Sequence, residues 1–246
     1  MKEIVERTQA LAETWTPQEL LHWSFKTFGN GVEMASGFGV EGMALIDIAT
    51  RIHPKLRVFT VDTDFLFPET YDLIERVERR YGLSVERLRS TLTPEDQEEI
   101  YGAALWQTNP DQCCSLRKVA PLAEKLSGLR AWITAIRRSQ TSVRAQARKI
   151  EWDEKFQLVK INPIVDWTSE QVWNYVRSRD VPYNPLHDSD YPSIGCTHCT
   201  RAVRPGEDAR AGRWAGSQKT ECGLHLPGPA VIPSPLVQLG DSSSQR

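Results

Sequence analysis

The stretch Val32-Glu33-Met34-Ala35-Ser36-Gly37-Phe38-Gly39-Val40-Glu41-Gly42 passes from a short apolar run through a glycine-spaced turn into an apolar segment of helical character. A strand that empties into a helix through glycines is a characteristic unit of an α/β sheet. Outward from it, further β-forming runs lie at residues 57–61, 83–88, 130–135 and 156–161, mostly separated by helical segments. This alternation predicts a mainly parallel sheet flanked by helices. Thr16, Pro17 and Glu19 form a capping-box start for an early helix carrying Leu20, Leu21 and Trp23. A later helix is expected to start at Thr168, with Val172, Trp173 and Val176 as its apolar stripe.

The chain has 246 residues, 30 Lys plus Arg against 32 Asp plus Glu, and 40% hydrophobic residues. Such a chain can bury a core without disulfides or metal, so a metal site would serve another purpose. No apolar run reaches the roughly 18 residues of a membrane span, and the opening MKEIVERTQALAETW is too charged for a signal peptide. A cytoplasmic protein with no membrane partner is expected. Residues 1–225 are expected to form one domain, with a helical segment at 1–30 and an irregular Cys- and Arg-rich lobe at 180–225. The proline-rich, serine-ended stretch 226–246 is expected to be a flexible tail.

Ligands of open parallel sheets bind beyond the carboxyl ends of the strands. Three loops there carry polar chemistry. Ser36 to Gly42 can cradle phosphate or sulfate with backbone amides at a helix N-terminus, the alternative being a plain connector. Asp62-Thr63-Asp64 can offer acceptors to a ribose or base, the alternative being helix capping. Arg137-Arg138-Ser139-Gln140-Thr141 opens a window, 137–149, with five basic residues and no acid. That charge suits a polyanionic small ligand, with an RNA-binding patch as the competing reading. Together the loops point to a nucleotide site.

The five cysteines divide four plus one. Cys113-Cys114 falls near the start of a predicted helix, and Cys196-Thr197-His198-Cys199 in the irregular lobe. Adjacent cysteines close poorly on one small ion but can each take a corner of a larger cluster, which favours [4Fe-4S] over zinc. Buried inert thiols, and His198 as a zinc ligand, are the alternatives. Lys118 can place a cation between cluster and substrate. Cys222 remains, in Lys219-Thr220-Glu221-Cys222-Gly223-Leu224-His225, where Lys219 and His225 are expected to favour a reactive thiolate.

Cys113-Cys114, Cys196-x-x-Cys199, Arg137-Arg138-Ser139-Gln140 and Glu221-Cys222-Gly223-Leu224-His225 together resemble the assimilatory adenylyl-sulfate reductases, within the wider adenylyl-sulfate and phosphoadenylyl-sulfate reductase family. The resemblance runs from about Val32 to His225. It implies a sheet fold related to the adenine-nucleotide α-hydrolases and ATP pyrophosphatases, with adenosine 5′-phosphosulfate as substrate. It also implies that Cys222 attacks the substrate sulfur and that thioredoxin then discharges sulfite. The implied substrate contacts are Ser36, Gly37, Phe38, Gly39, Glu41, Asp62, Thr63, Lys118, Arg137, Arg138, Arg210, Arg213 and His225. The implied cluster ligands are Cys113, Cys114, Cys196 and Cys199, the cluster acting electrostatically, not as an electron relay. The chain departs from the family at Gly42, where an acid is expected, at Asp64, where glycine is usual, and in a shorter stretch between Trp214 and Cys222.

Three rival functions bear on the same residues. A phosphoadenylyl-sulfate or dual-specificity reductase differs by one 3′-phosphate. An ATP pyrophosphatase acting in tRNA modification would show Ser-Gly-Gly-x-Asp-Ser, which Ser36-Gly37-Phe38-Gly39 does not supply. A zinc-binding nucleic-acid module would use the C-x-x-C segment and the basic window. No nucleic-acid partner is expected, and a homo-oligomer is left open.

Overall fold

The computed structural model describes residues 1–217 and 219–225; the tail expected over 226–246 lies outside the described residues. Helices α1 (Lys2–Ala12) and α2 (Pro17–Phe28) come first. The expected capping box starts α2: Thr16 Oγ1 accepts the Glu19 amide at 3.2 Å, and the Glu19 carboxylate accepts the Thr16 amide at 2.7 Å. There follow β1 (Val32–Ala35), α3 (Val40–Ile52), β2 (Val58–Val61), α4 (Pro68–Tyr81), β3 (Val85–Leu88) and α5 (Pro94–Tyr101). Short helices α6 (Leu105–Thr108) and α7 (Pro110–Cys114) lead through a π-helical stretch, Ser115–Val119, into α8 (Ala120–Ser127). The chain continues with β4 (Ala131–Ile133), β5 (Ile150–Asp153), β6 (Leu158–Ile161) and α9 (Ser169–Ser178), the last capped by Thr168.

The strands form one sheet in the order β3-β2-β1-β4-β6-β5, parallel except where β5 runs against β6. The five expected strands are present. β5 is an addition: of its residues Ile150-Glu151-Trp152-Asp153 only Ile150 is fully buried, so this edge strand presents no apolar run to recognise.

Successive strand residues face opposite sides of a sheet, and the two sides are unequal. Val58, Ala131, Ile133, Val159 and Ile161 join the apolar faces of α2, α3, α4 and α9 in the larger core. Phe59, Trp132 and Leu158 face the other side, where α8 contributes only Leu122 and Leu126 to a small cluster. Each large aliphatic buried on the thick side contributes roughly 1.5–3 kcal/mol, so that side carries most of the stability. The thin side leaves room for a ligand.

The chain leaves β1 toward β2 and returns to β4 on β1's other flank. The loops after β1 and β4 therefore diverge and open a crevice at the carboxyl ends of the strands. After α9, segment 180–225 lies beside that crevice. It is held by bridges from Leu66 to Cys196 and from Thr200 to Arg213. The Thr197 amide donates to the Phe65 carbonyl at 2.8 Å, and the Trp214 amide to the Cys199 carbonyl at 2.9 Å. Gly212 makes the close approach inside the lobe possible, since a Cβ there would lie 2.2 Å from the Arg201 carbonyl oxygen. Among the described residues no helix is long and apolar enough to cross a membrane.

Candidate active site

A cavity of about 830 Å³ occupies the crevice, within the size range of small-molecule sites. Its floor is apolar, with Phe59, Leu122, Trp132 and Leu224, and its rim carries Lys118, Arg137, Arg138, Arg144, Arg210 and Arg213.

The β1 loop supplies the first wall. Gly39 precedes α3 and no side chain caps that helix, so the positive end of the helix faces a cavity lined by Ser36, Gly37, Gly39 and Glu41. Phe38 departs from the expected contact set. At φ 55° it turns its side chain into the core, 1% exposed, and it does not line the cavity. Its amide donates to Ser36 Oγ at 3.1 Å. A Cβ at Gly42 would meet that same hydroxyl at 2.6 Å.

Asp62 is also placed apart from the other expected contacts. It is fully buried and does not line the cavity. Its carboxylate accepts Tyr71 Oη at 2.7 Å, the Asp64 amide at 3.1 Å, and Arg89 Nη2 and Nε at 2.9 and 3.1 Å. The reason is the turn at Asp64, whose φ of 61° directs the loop back over Asp62. Asp62 therefore braces the loop from beneath. Thr63 remains at the cavity wall, with its Oγ1 3.3 Å from Cys196 Sγ.

The arginine loop is turned inward. Arg137 donates to Glu41 Oε1 from Nε at 3.0 Å, and its Nη2 lies 2.9 Å from the same oxygen. Arg138 reaches Glu13 at 2.6 Å and the Ala147 carbonyl at 2.7 Å. Lys149 is buried against the Trp15 carbonyl and Asp166. Within the basic window Arg137 and Lys149 are thus buried, whereas Arg148 is exposed.

The lobe supplies the opposite wall. Arg210 and Arg213 share Ser193 Oγ, at 3.4 and 3.2 Å. Burial, with Arg144 and Arg213 nearby, lowers the Arg210 pKa. A crowd of cations in this state is relieved by an arriving anion. Cys222 and His225 line the same cavity. His225 stacks on Trp132 at 5.7 Å. Burial, followed by the charges of Arg144, Lys160, Arg210 and Lys155, holds its pKa well below 6.5. At neutral pH this favours the uncharged imidazole. Lys219 is engaged, paired with Asp111 beside the Trp214 ring.

Lys118 joins this cavity to a second one of about 10 Å³, lined by Cys113, Cys114, Cys196 and Cys199 with Thr63, Phe65, Trp106, Arg117 and His198. Burial opposes the charge on Lys118, but Cys196, Cys114 and Cys222 around it raise its pKa. Burial and neighbouring thiols push Cys113 up to about 12, and burial and Cys196 push Cys199 up to about 11. Cys196 goes the other way, because Lys118, Thr63 and Arg213 outweigh its burial. Arg117 is 1% exposed, bonded to Gln97 at 2.7 Å and Asp64 at 2.9 Å, yet its Nη2 has no partner. Among the described residues, no three His, Cys, Asp or Glu side chains converge as a single metal ion requires. His198 stacks on Trp106 at 4.0 Å.

Residues 31–202 match the model of the phosphoadenosine phosphosulfate reductase domain. The chain belongs to this reductase family. It is 48% identical over 210 residues to an adenosine 5′-phosphosulfate reductase of Shouchella clausii, covering 85% of this chain and 87% of that one. It is 47% identical over 223 residues to the enzyme of that name from Halalkalibacterium halodurans, covering 90% and 96%. Among solved structures it resembles a phosphoadenylyl-sulfate reductase from Candida auris, with a TM-score of 0.70 and 31% identity over 82% of this chain and 98% of that one. An FMN adenylyltransferase from Candida glabrata shares the fold at a TM-score of 0.54 and 15% identity, covering 93% of this chain and 78% of that one. The architecture is that of the adenine-nucleotide α-hydrolases.

Two departures of this reductase from its family pattern now have physical accounts. Asp64 adopts a left-handed φ that glycine takes without strain, and Asp tolerates it while gaining Arg117 as a partner. Gly42 lets α3 start close beneath Ser36. Arg144 and Glu221 escaped notice as site residues. Arg144 lay within the basic window and Glu221 beside Cys222, but their pairing spans 77 residues and leaves no local pattern.

Proposed function

We propose that this oxidoreductase reduces adenosine 5′-phosphosulfate to sulfite and AMP, with reduced thioredoxin as electron donor, in assimilatory sulfate reduction. One observation carries the proposal: Cys222 opens onto a cavity with an apolar, aromatic-containing floor and a cationic rim. The floor suits an adenine ring. The N-terminus of α3, with Lys118, Arg137, Arg210 and Arg213, suits the phosphosulfate. Arg138, tied to Glu13, is the outer member of that rim.

The Cys222 thiolate attacks the sulfur of the sulfuryl group. The S–O bond to the phosphate breaks, AMP leaves with that electron pair, and Cys222 carries an S-sulfonate. A thioredoxin thiolate then attacks Cys222 Sγ, and sulfite leaves with the electron pair of the S–S bond. The second thioredoxin thiol resolves the mixed disulfide, freeing the Cys222 thiol. Two thiols are oxidised as sulfur gains two electrons, so no further reductant is needed. The neutral His225 stacks against the floor and orients the segment without carrying charge.

Cys113, Cys114, Cys196 and Cys199 would hold one [4Fe-4S] cluster. Their fit rests on the donor set: four thiols of two segments share one cavity, beside the Arg117 donor that lacks a partner. When bound, the cluster would supply a fixed charge distribution felt through Lys118. A nucleic-acid function is disfavoured because the Arg137, Arg144 and Lys149 side chains are at most 10% exposed, which leaves Arg138 and Arg148 as the members of the basic window at the surface.

The test is anaerobic purification with iron and sulfide analysis, followed by thioredoxin-dependent sulfite release from adenosine 5′-phosphosulfate and its 3′-phosphorylated form. Sulfite from the unphosphorylated nucleotide, absent in Cys222→Ser, is the expected result. Sulfite from the 3′-phosphorylated form alone would transfer the assignment to that substrate, and none from either would overturn it.

A further inference from the structure

Beside Cys222 stands a buried acid that the chemistry above does not use. Glu221 is 2% exposed. Its Oε1 accepts Arg144 Nε at 2.8 Å and Thr141 Oγ1 at 2.9 Å, and its Oε2 accepts Arg144 Nη2 at 2.7 Å. Arg210 Nη2 lies 3.9 Å from Oε2. Arg144 Nη1 donates to Gln140 Oε1 at 2.6 Å, and Gln140 Nε2 donates to Glu41 at 3.0 Å. A continuous chain of polar contacts therefore links the first turn of α3 to the residue preceding the nucleophile.

We propose that Glu221 is a positioning residue, a two-point ionic latch on Arg144 that docks Cys222 over the cavity and must open before a second protein can reach it. This rests on the nucleophilic role of Cys222 proposed above. The forked geometry defines a direction as well as an attachment, because both carboxylate oxygens meet one planar guanidinium. Buried pairs of this kind specify geometry more than they stabilise, and removing one partner strands the other. The neighbouring anchors are softer. Lys155 Nζ donates to the Gly223 carbonyl at 2.6 Å, and Leu224 packs beside Phe59 and Trp132. They hold the segment near the floor without fixing the thiol of the residue that follows Glu221.

The two halves of the reaction make opposite demands on this segment. Attack on sulfur needs Cys222 held in line with the bound nucleotide. Discharge of sulfite needs the S-sulfonate exposed to a thiol on another protein. The S-sulfonate adds a negative charge beside Glu221, within the field of Arg210, whose charge already senses Cys222. The charge created by the first half thus weakens the contact that served it.

The experiment compares metal-loaded full-length wild type with Glu221→Gln, which keeps shape and loses charge, and Glu221→Asp, which keeps charge. Alkylation of Cys222 by iodoacetamide, followed on its own peptide by mass spectrometry, reports docking independently of catalysis. Single-turnover S-sulfonation without reductant reports positioning, and AMP affinity reports the rest of the site. Glu221→Gln is expected to speed alkylation by about tenfold or more and slow S-sulfonation similarly, with AMP affinity within about threefold and Glu221→Asp recovering most of both. Thr141→Val, which removes one uncharged donor, is expected to move both rates the same way by about twofold to fivefold, and it decides the matter if Glu221→Gln does not fold. Unchanged alkylation in a folded Glu221→Gln, or in Thr141→Val if Glu221→Gln does not fold, overturns the latch. Absence of S-sulfonate in wild type would overturn the proposed reaction while the alkylation rates still tested the latch.

Discussion

The two walls of the cavity are built by different means. The wall formed by the loops after β1 and β4 is an extension of the sheet: Ser36 continues the ladder through its amide to Phe59 O at 2.9 Å, and Thr134 does so to Ile161 O at 2.8 Å. Its geometry follows from core packing. The wall formed by segment 180–225 has no large core and depends on two isolated bridges, a glycine contact and ion pairs. The rigid wall suits recognition of a nucleotide that stays still. The lobe carries the nucleophile, which must act in two places, and the elements that move are drawn from regions with few buried apolar contacts.

The sharpest division between the walls is expected at Cys222. Cys222→Ser should reduce sulfite release by at least about a thousandfold, while AMP affinity, measured by calorimetry, stays within about threefold. Parallel loss of AMP binding would show that the lobe also carries recognition. Next comes Lys118, which lines both cavities. Lys118→Ala is expected to retain iron but lose about a hundredfold in kcat/KM, the scale of one preorganised electrostatic contact. A variant with its cluster and full activity would show that the two cavities are independent.

A smaller effect contrasts glycines. Gly212→Ala places Cβ 2.2 Å from a backbone oxygen, whereas Gly128→Ala meets an ordinary 3.7 Å contact. The first should cost about 1–3 kcal/mol. The second should be neutral or stabilising by up to about 1 kcal/mol. Thermal melts of both variants measure the difference, and equal shifts would mean that the lobe tolerates distortion.

The smallest effect is a pH dependence of docking. The docked His225 has its pKa held well below 6.5 by burial and by Arg144, Lys160, Arg210 and Lys155. An undocked His225 regains its ordinary value. Below pH 6.5 the undocked form therefore binds a proton that the docked form refuses, so docking is fully present above that pH and weakens by up to about tenfold per unit below it. Cys222 alkylation, corrected for thiol ionisation with a free peptide, should show this slope in wild type and lack it in His225→Gln.

Five of the strands, the capping box at Thr16, the helix start at Thr168 and the four-plus-one division of the cysteines were legible in the sequence because each is a local pattern. Strand β5 was not, since an edge strand with one buried residue has no apolar run to show. Phe38 and Asp62 were legible as members of loops at the correct rim, but not in their directions. A positive φ at Phe38 and another at Asp64 turn one side chain into the core and bury the other beneath Arg89. His225 was legible as a neighbour of Cys222, but its neutrality depends on Trp132 and a ring of distant cations.

By itself the sequence determined the alternation of parallel strands and helices, the family, and the residue types available for nucleophile, anion clamp and metal ligation, because periodicity and motif spacing act over a few residues. Only the tertiary structure decided which of those groups share a cavity and which are spent on one another. Arg144 meeting Glu221 and Thr63 meeting Cys196 join positions 77 and 133 residues apart. Whether a charge faces a ligand, a partner or the core depends on where a loop's backbone turns and on what the far end of the chain brings against it.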